Sequence, residues 1–210
     1  STILLFADQS LLSLAQRFFH TMQIYPLLAV PFFILAATFM TTGGVAKRMI
    51  DFANALVGHF RGGLAMAALL ACAFFSAVSG SAPATVVAVG SVMIGGMINS
   101  GYSPRFASGV ICNAGTLGIL IPPSLVMVIY GAVTESSIGN LFIAGMLPGL
   151  ILTLAMMGTV AFIARRQDLP RQPKASFKEL IRAGWEALWG LVLLLIILGG
   201  IYAGIFTPTE

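Results

Sequence analysis

The sequence predicts an all-α polytopic membrane protein, and three observations carry that prediction. The chain of 210 residues is 58% hydrophobic and only 9% charged, with a mean hydropathy of +0.98. Soluble domains carry roughly a quarter charged residues, far more than this chain. The few charges are also segregated: no Asp, Glu, Lys or Arg occurs in 18–46, 62–104, 106–134, 136–164 or 187–209. Finally, two of these apolar stretches are interrupted by clusters of Gly, Pro and small hydroxyl residues. One is Ser79-Gly80-Ser81-Ala82-Pro83-Ala84-Thr85. The other runs from Asn113 through Gly115-Thr116-Leu117-Gly118 to Pro122-Pro123-Ser124.

Taken in order, residues 8–23 mix Asp8, Gln9, Gln16, Arg17, His20 and Gln23 with Leu and Phe, which suits an amphipathic interfacial arm. Residues 25–41 form a scaffold-type apolar span that starts near Pro26, with a kink at Pro31 and a stop at Gly43-Gly44. Residues 45–60, with Lys47, Arg48, Asp51, Asn54 and His59, read as an amphipathic surface helix, closing a first unit at 61.

The next unit, 62–164, begins with the uncharged stretch 62–98, and its length is informative. Its arms, 62–78 and 84–98, hold 17 and 15 residues. At 1.5 Å per residue they reach only about 22–26 Å, short of the roughly 30 Å hydrocarbon core. A loop emerging on the far side would normally carry charge, and this tip carries none. Short arms and an uncharged tip favour a re-entrant helical hairpin over two full spans. Arg61 and Arg105 flank it, placing both ends on the cytoplasmic side. Residues 106–130 then cross outward as a broken helix. An outer loop over 132–139 carries Glu135, and 140–164 crosses back.

The return ends at a basic cytoplasmic linker, 165–183, marked by Pro170 and Pro173, with a short surface helix over 177–182. Trp185 and Trp189 read as interface anchors to a final span within 184–210. Arg165, Arg166, Arg171, Lys174, Lys178 and Arg182 supply most of the net charge of +4. No stacking aromatics are interleaved with them, which argues against a nucleic-acid partner and for membrane lipids. Cys72 and Cys112 lie in apolar stretches and read as small buried hydrophobes. No initiator Met is present, no cleavable signal peptide is evident, and the close at Glu210 is abrupt. These features read as a segment of a longer protein.

The two breaks carry the chemistry. Backbone that leaves the helix at membrane depth survives only when buried in protein or lining a watery cavity. Unwound segments offer carbonyl oxygens, and Ser79, Ser81, Thr85, Asn113, Thr116 and Ser124 add side-chain oxygens suited to a hard cation. Pro122 and Pro123 remove N–H donors and free carbonyls one turn earlier. Gly80, Gly115 and Gly118 admit backbone conformations closed to other residues. The arm after Pro83 points its N-terminus at the tip, favouring an anionic group there. Set against this, lone Gly and Pro residues in membrane helices usually mark kinks or close packing, and the hydroxyls can bond back within their own helices. Gly90, Gly95, Gly96 and Gly145 read as packing residues. Two breaks on neighbouring segments favour a site. No acid–base or nucleophile pattern lies in the spans, so an enzyme is not expected.

The motifs resemble the large membrane subunit of TRAP (tripartite ATP-independent periplasmic) transporters. They are Phe52-Ala53-Asn54-Ala55-Leu56-Val57-Gly58-His59-Phe60-Arg61-Gly62-Gly63-Leu64-Ala65, the Ser79–Thr85 tip, the Gly115–Ser124 segment and the closing Gly204-Ile205-Phe206-Thr207-Pro208-Thr209-Glu210. The likeness covers essentially the whole chain. It implies half of an inverted-repeat elevator transporter in the bacterial inner membrane. It also implies uptake of organic acids such as C4-dicarboxylates, coupled to Na+ as the coupling ion. The implied partners are a periplasmic substrate-binding protein, a small (Q-type) membrane subunit and a carboxylate solute. Carried over from the family, the sodium ligands are Ser79 and the carbonyls near Gly118, Ile121 and Pro123, with Asn113 and Thr116 in support. Gly80, Ser81, Ala82 and Thr85 line the substrate path. The family's large subunit carries a second hairpin and a second broken helix, so this chain would supply one half-site. A non-transporting scaffold subunit and a different sodium-coupled elevator family are the alternatives at this stage.

Overall fold

A computed structural model describes residues 29–167 and 169–205, together with five positions between 12 and 19. The interfacial arm expected over 8–23 and the motif residues 206–210 therefore lie largely outside the described residues. Every regular element described is helical: α1 (Ala29–Thr42), α2 (Val45–Val57), α3 (Gly63–Ser79), α4 (Ala82–Asn99), α5 (Pro104–Gly115), α6 (Leu117–Leu120), α7 (Leu125–Thr134), α8 (Ile138–Arg166) and α9 (Phe177–Tyr202). Four stretches among them are long and apolar enough to cross a membrane: α4, Pro104–Thr134, α8 and α9. The α1–α2 pair, bent by 65° at Gly43-Gly44, makes a fifth if counted as one span. These properties establish an all-α polytopic membrane protein.

α3 is the centre of the molecule. It is apolar all round, as a fully enclosed helix must be. Ala65, Ala67, Ala68, Ala71, Cys72 and Phe75 are wholly buried. Its run of alanines keeps the helix thin, so α2, α4, α5 and α8 all pack against it. α2 is amphipathic as its sequence indicates, but it is not merely laid on the surface. Met49 and Ala53 are fully buried where α2 meets α3 and α9.

Several boundaries differ from the sequence reading, each for a local reason. α4 begins at Ala82 with Pro83 inside its first turn, where a missing N–H costs nothing, so the hairpin tip is only Gly80-Ser81. The turn between α7 and α8 is Glu135-Ser136-Ser137 rather than 132–139, because Ser137 already caps α8 through the Asn140 amide. The basic linker ends at Ser176 rather than 183. Ser176 and Glu179 form a capping box, so the helix expected over 177–182 and the following span are one continuous α9.

Candidate functional site

The hairpin closes on itself at both ends. At its base, Tyr102, from the turn after α4, is 3% exposed and donates a 3.5 Å hydrogen bond to the Pro170 carbonyl. Burial pushes its phenol above the usual range, while the amides of Ala65 and Leu64 at the start of α3 pull it back. The end of α4 therefore returns to the beginning of α3. The C-terminal end of α8 and the basic linker join the same level: a Cβ on Gly62 would lie 2.5 Å from the Ala164 Cβ, and the Gln172 amide donates to the Gly58 carbonyl at 3.2 Å.

At the other end, the tip meets the second break. The Leu125 amide donates to the Gly80 carbonyl at 3.0 Å. A Cβ on Gly80 would lie 2.7 Å from the Pro123 carbonyl oxygen, and one on Gly118 would lie 2.7 Å from the Ala82 nitrogen. Gly80 is also left-handed, at φ 60°, the one glycine of the three that needs its conformational freedom. The conformational role expected for Gly115 and Gly118 is corrected. Both have ordinary helical backbones and serve close approach, Gly115 against Val86 and Gly118 against the tip.

The second break is built by its prolines. α5 runs into the single turn of α6, Ile121 is extended (φ −80°, ψ 119°), and the Pro122–Pro123 peptide is cis before Ser124 opens α7. Among the described residues the carbonyls of Ile121, Pro122 and Pro123 accept no hydrogen bond. The last-turn carbonyls of Ala77, Val78 and Ser79 in α3 likewise accept none. All six residues are buried or half-buried. These uncommitted acceptors belong to the two segments that the Leu125–Gly80 bond brings together, and a buried unpartnered carbonyl is costly.

Hydroxyls surround this point. Ser79 and Thr85 are fully buried, with their Oγ and Oγ1 atoms 3.2 Å apart, and Thr85 donates to the Ser81 carbonyl at 2.9 Å. Ser76, not singled out in the sequence, joins them at 3.2 Å from the Thr85 Oγ1. Ser124 Oγ is buried with no hydrogen-bond partner. Ala82 lies in the first turn of α4, half-buried against Gly118. Asn113 and Thr116 turn elsewhere: both are exposed, and they bond back to the Gly109 and Asn113 carbonyls at 2.8 and 2.7 Å. α8 forms the floor. Gly145 and Gly149, four residues apart, let the Leu120–Ile121 backbone lie against it, with a Gly145 Cβ only 2.7 Å from the Leu120 oxygen. Small residues at that spacing were a legible packing signal, of which the sequence reading used only Gly145.

The arrangement has a definite electrostatic character. Two helix ends that present carbonyls, those of α3 and α6, meet two that present amides, those of α4 and α7. The first kind favours a cation and the second an anion. Both lie within one buried knot, as in transporters whose discontinuous helices hold ion and solute together.

The family model for the tripartite ATP-independent periplasmic transporter, DctM component, matches residues 1–210. The chain belongs to the DctM family. The C4-dicarboxylate TRAP transporter large permease protein DctM of Pseudomonas aeruginosa is 61% identical over 209 residues, covering 100% of the DctM-family chain and 49% of that protein. The corresponding Vibrio cholerae protein is 60% identical, over 97% of the chain and 45% of its own length. The isethionate TRAP transporter permease protein DctMQ of Oleidesulfovibrio alaskensis is 41% identical, over 93% and 31%. The chain thus spans about half or less of the length of these relatives. All three are named as transporter permeases rather than enzymes.

Proposed function

We propose that this DctM-family chain supplies one ion half-site of a sodium-coupled permease that takes up organic acids by an elevator movement. The observation that carries the reading is the 3.0 Å bond from the Leu125 amide to the Gly80 carbonyl, which locks two helix breaks into one knot. Carbonyls of Ile121 and Pro123, the Ser79 hydroxyl and the orphaned Ser124 hydroxyl are the ligands we assign to Na+. We assign Ser81 and Ala82, half-buried at the start of α4, to the solute side, since a helix N-terminus favours a carboxylate. Thr85, expected on that path, is wholly buried and bonded to Ser79 and the Ser81 carbonyl, so it braces the tip instead. Asn113 and Thr116 would act only through a rearrangement of α5.

C4-dicarboxylates are the solutes favoured by the names of the two relatives near 60% identity. A periplasmic binding protein and a small Q-type subunit complete the assembly in this reading. The description "tripartite" and the DctMQ name support them. The bacterial inner membrane follows from the same reading.

Thermal stability of the intact permease in Na+ against K+ tests the ion. An ion that binds only the folded state stabilises it by about 2.7 kcal/mol at a hundred times its Kd. Wild type is expected to melt higher in Na+, and Ser79→Ala to need roughly tenfold more Na+ for the same rise, about 1.4 kcal/mol of lost affinity. Equal melting in Na+ and K+ would defeat the proposal.

A further inference from the structure

At the base of the hairpin, on the opposite end from the breaks, lies a pocket of about 500 Å³ between the α2–α3 turn, α8 and the linker. Its rim is basic: His59, Arg61, Arg165 and Arg171. Its walls are apolar, formed by Phe60, Met66, Met157 and Ala161. We propose that this pocket binds the headgroup of an anionic glycerophospholipid, its phosphodiester held by Arg165 and Arg171 and its first acyl carbons lying against Met157 and Ala161.

Three observations converge on this ligand. Arg165 and Arg171 are exposed cations from different segments facing one pocket, and neither has an ion-pair partner among the described residues. Arg182, by contrast, is held by Glu186 at 2.9 Å. Two converging guanidiniums suit a phosphodiester, whose oxygens they can grip bidentately. Met157 and Ala161 of those walls share a helix face with Leu154, three residues before Met157 and 59% exposed. A free phosphate has no use for such walls, whereas a lipid has both a head and a chain to place. The pocket also sits at the level where the apolar helices end and the basic linker begins. Headgroups lie at that depth, and basic pockets between membrane helices bind anionic ones.

The site differs from the ion half-site, so the two proposals fail separately. Melting of the intact permease in detergent would be followed with added dioleoyl-phosphatidylglycerol, dioleoyl-phosphatidylcholine or inorganic phosphate. The charge-matched control for the double variant Arg165→Gln/Arg171→Gln is Lys174→Gln/Arg182→Gln, which removes the same charge outside the pocket. Phosphatidylglycerol is expected to raise Tm by about 3 °C in wild type and control. The pocket variant should lose that rise while melting like wild type in phosphatidylcholine. Equal responses of the two variants would reduce the effect to diffuse surface charge and overturn the site. Equal stabilisation by phosphatidylcholine would do the same, and a rise with inorganic phosphate alone would show a plain anion site instead of a lipid one.

Discussion

At Gly118 the missing side chain is what allows the two breaks to touch. Its neighbours there are backbone atoms, the Ala82 nitrogen at 2.7 Å and the Ser81 carbonyl carbon at 2.8 Å from a would-be Cβ, so nothing flexible can yield. Gly118→Ala is expected to cost about 1–3 kcal/mol as overpacking. Gly96 makes the contrast, since nothing lies within 4 Å of its Cβ position and it sits inside α4. Gly96→Ala should hold or raise stability, by up to about 1 kcal/mol from helix propensity. Chemical or thermal melting of the two variants in the intact permease checks the pair. Similar losses from both would show that the knot is not the tight point. Residue types alone marked Ser79, Gly80, Gly118 and Pro123, because a hydroxyl, a glycine or a proline inside an apolar run is conspicuous. Ser76 was not conspicuous. A serine in the middle of an apolar arm reads as bonding to its own helix, and only the packed tip sets it 3.2 Å from Thr85.

For the elements, the hairpin depends on its base as much as on its tip. Tyr102 joins three segments: it donates to the Pro170 carbonyl, and its oxygen faces the amides of Leu64 and Ala65 at the start of α3, the second of which also donates to the Gly62 carbonyl at 3.0 Å. Tyr102→Phe keeps the ring stacked near Phe106, at 6.1 Å between centroids, and removes only the hydroxyl. The expected loss is about 1 kcal/mol, a fall of about 2–4 °C in Tm. An unchanged Tm would mean that water replaces the hydroxyl at the base. The Gly- and Ser-rich tip made the break between two helices legible in the sequence, but the arm expected over 84–98 is the 18-residue α4, long enough to cross a membrane. The brace was not legible, because Tyr102 and Pro170 are distant in the chain and neither carries a motif. α9 shows the reverse case: the Ser176–Glu179 capping box, plainly written in the sequence, fixes the start of one continuous helix where a separate surface helix over 177–182 is expected.

For the whole molecule, the bases of the hairpin, the C-terminal end of α8 and the basic linker share one level, while the turn Glu135-Ser136-Ser137 joins the opposite ends of α7 and α8. By the positive-inside rule the expected orientation is basic end inward. Single cysteines on a background with Cys72 and Cys112 replaced test it. Ser136→Cys should react with a membrane-impermeant maleimide in intact cells, and Ser176→Cys only after permeabilisation. The opposite pattern would invert the topology. α8, 29 residues long, measures about 43 Å. It exceeds the hydrocarbon core, so it tilts or projects into the headgroups, which brings Arg165 to the basic pocket.

Read by itself, the sequence determined the membrane class, the places where helices break and the side that bears positive charge. Those properties follow from local composition, since burial in lipid and the loss of an N–H at proline act on each segment separately. Only the tertiary structure determined that the two breaks meet in one buried knot, that Asn113 and Thr116 stand apart from it, and that Gly115 and Gly118 serve contact rather than conformation. Those outcomes depend on how thin α3 is and how closely α4, α5 and α8 pack around it, and no single segment contains that information.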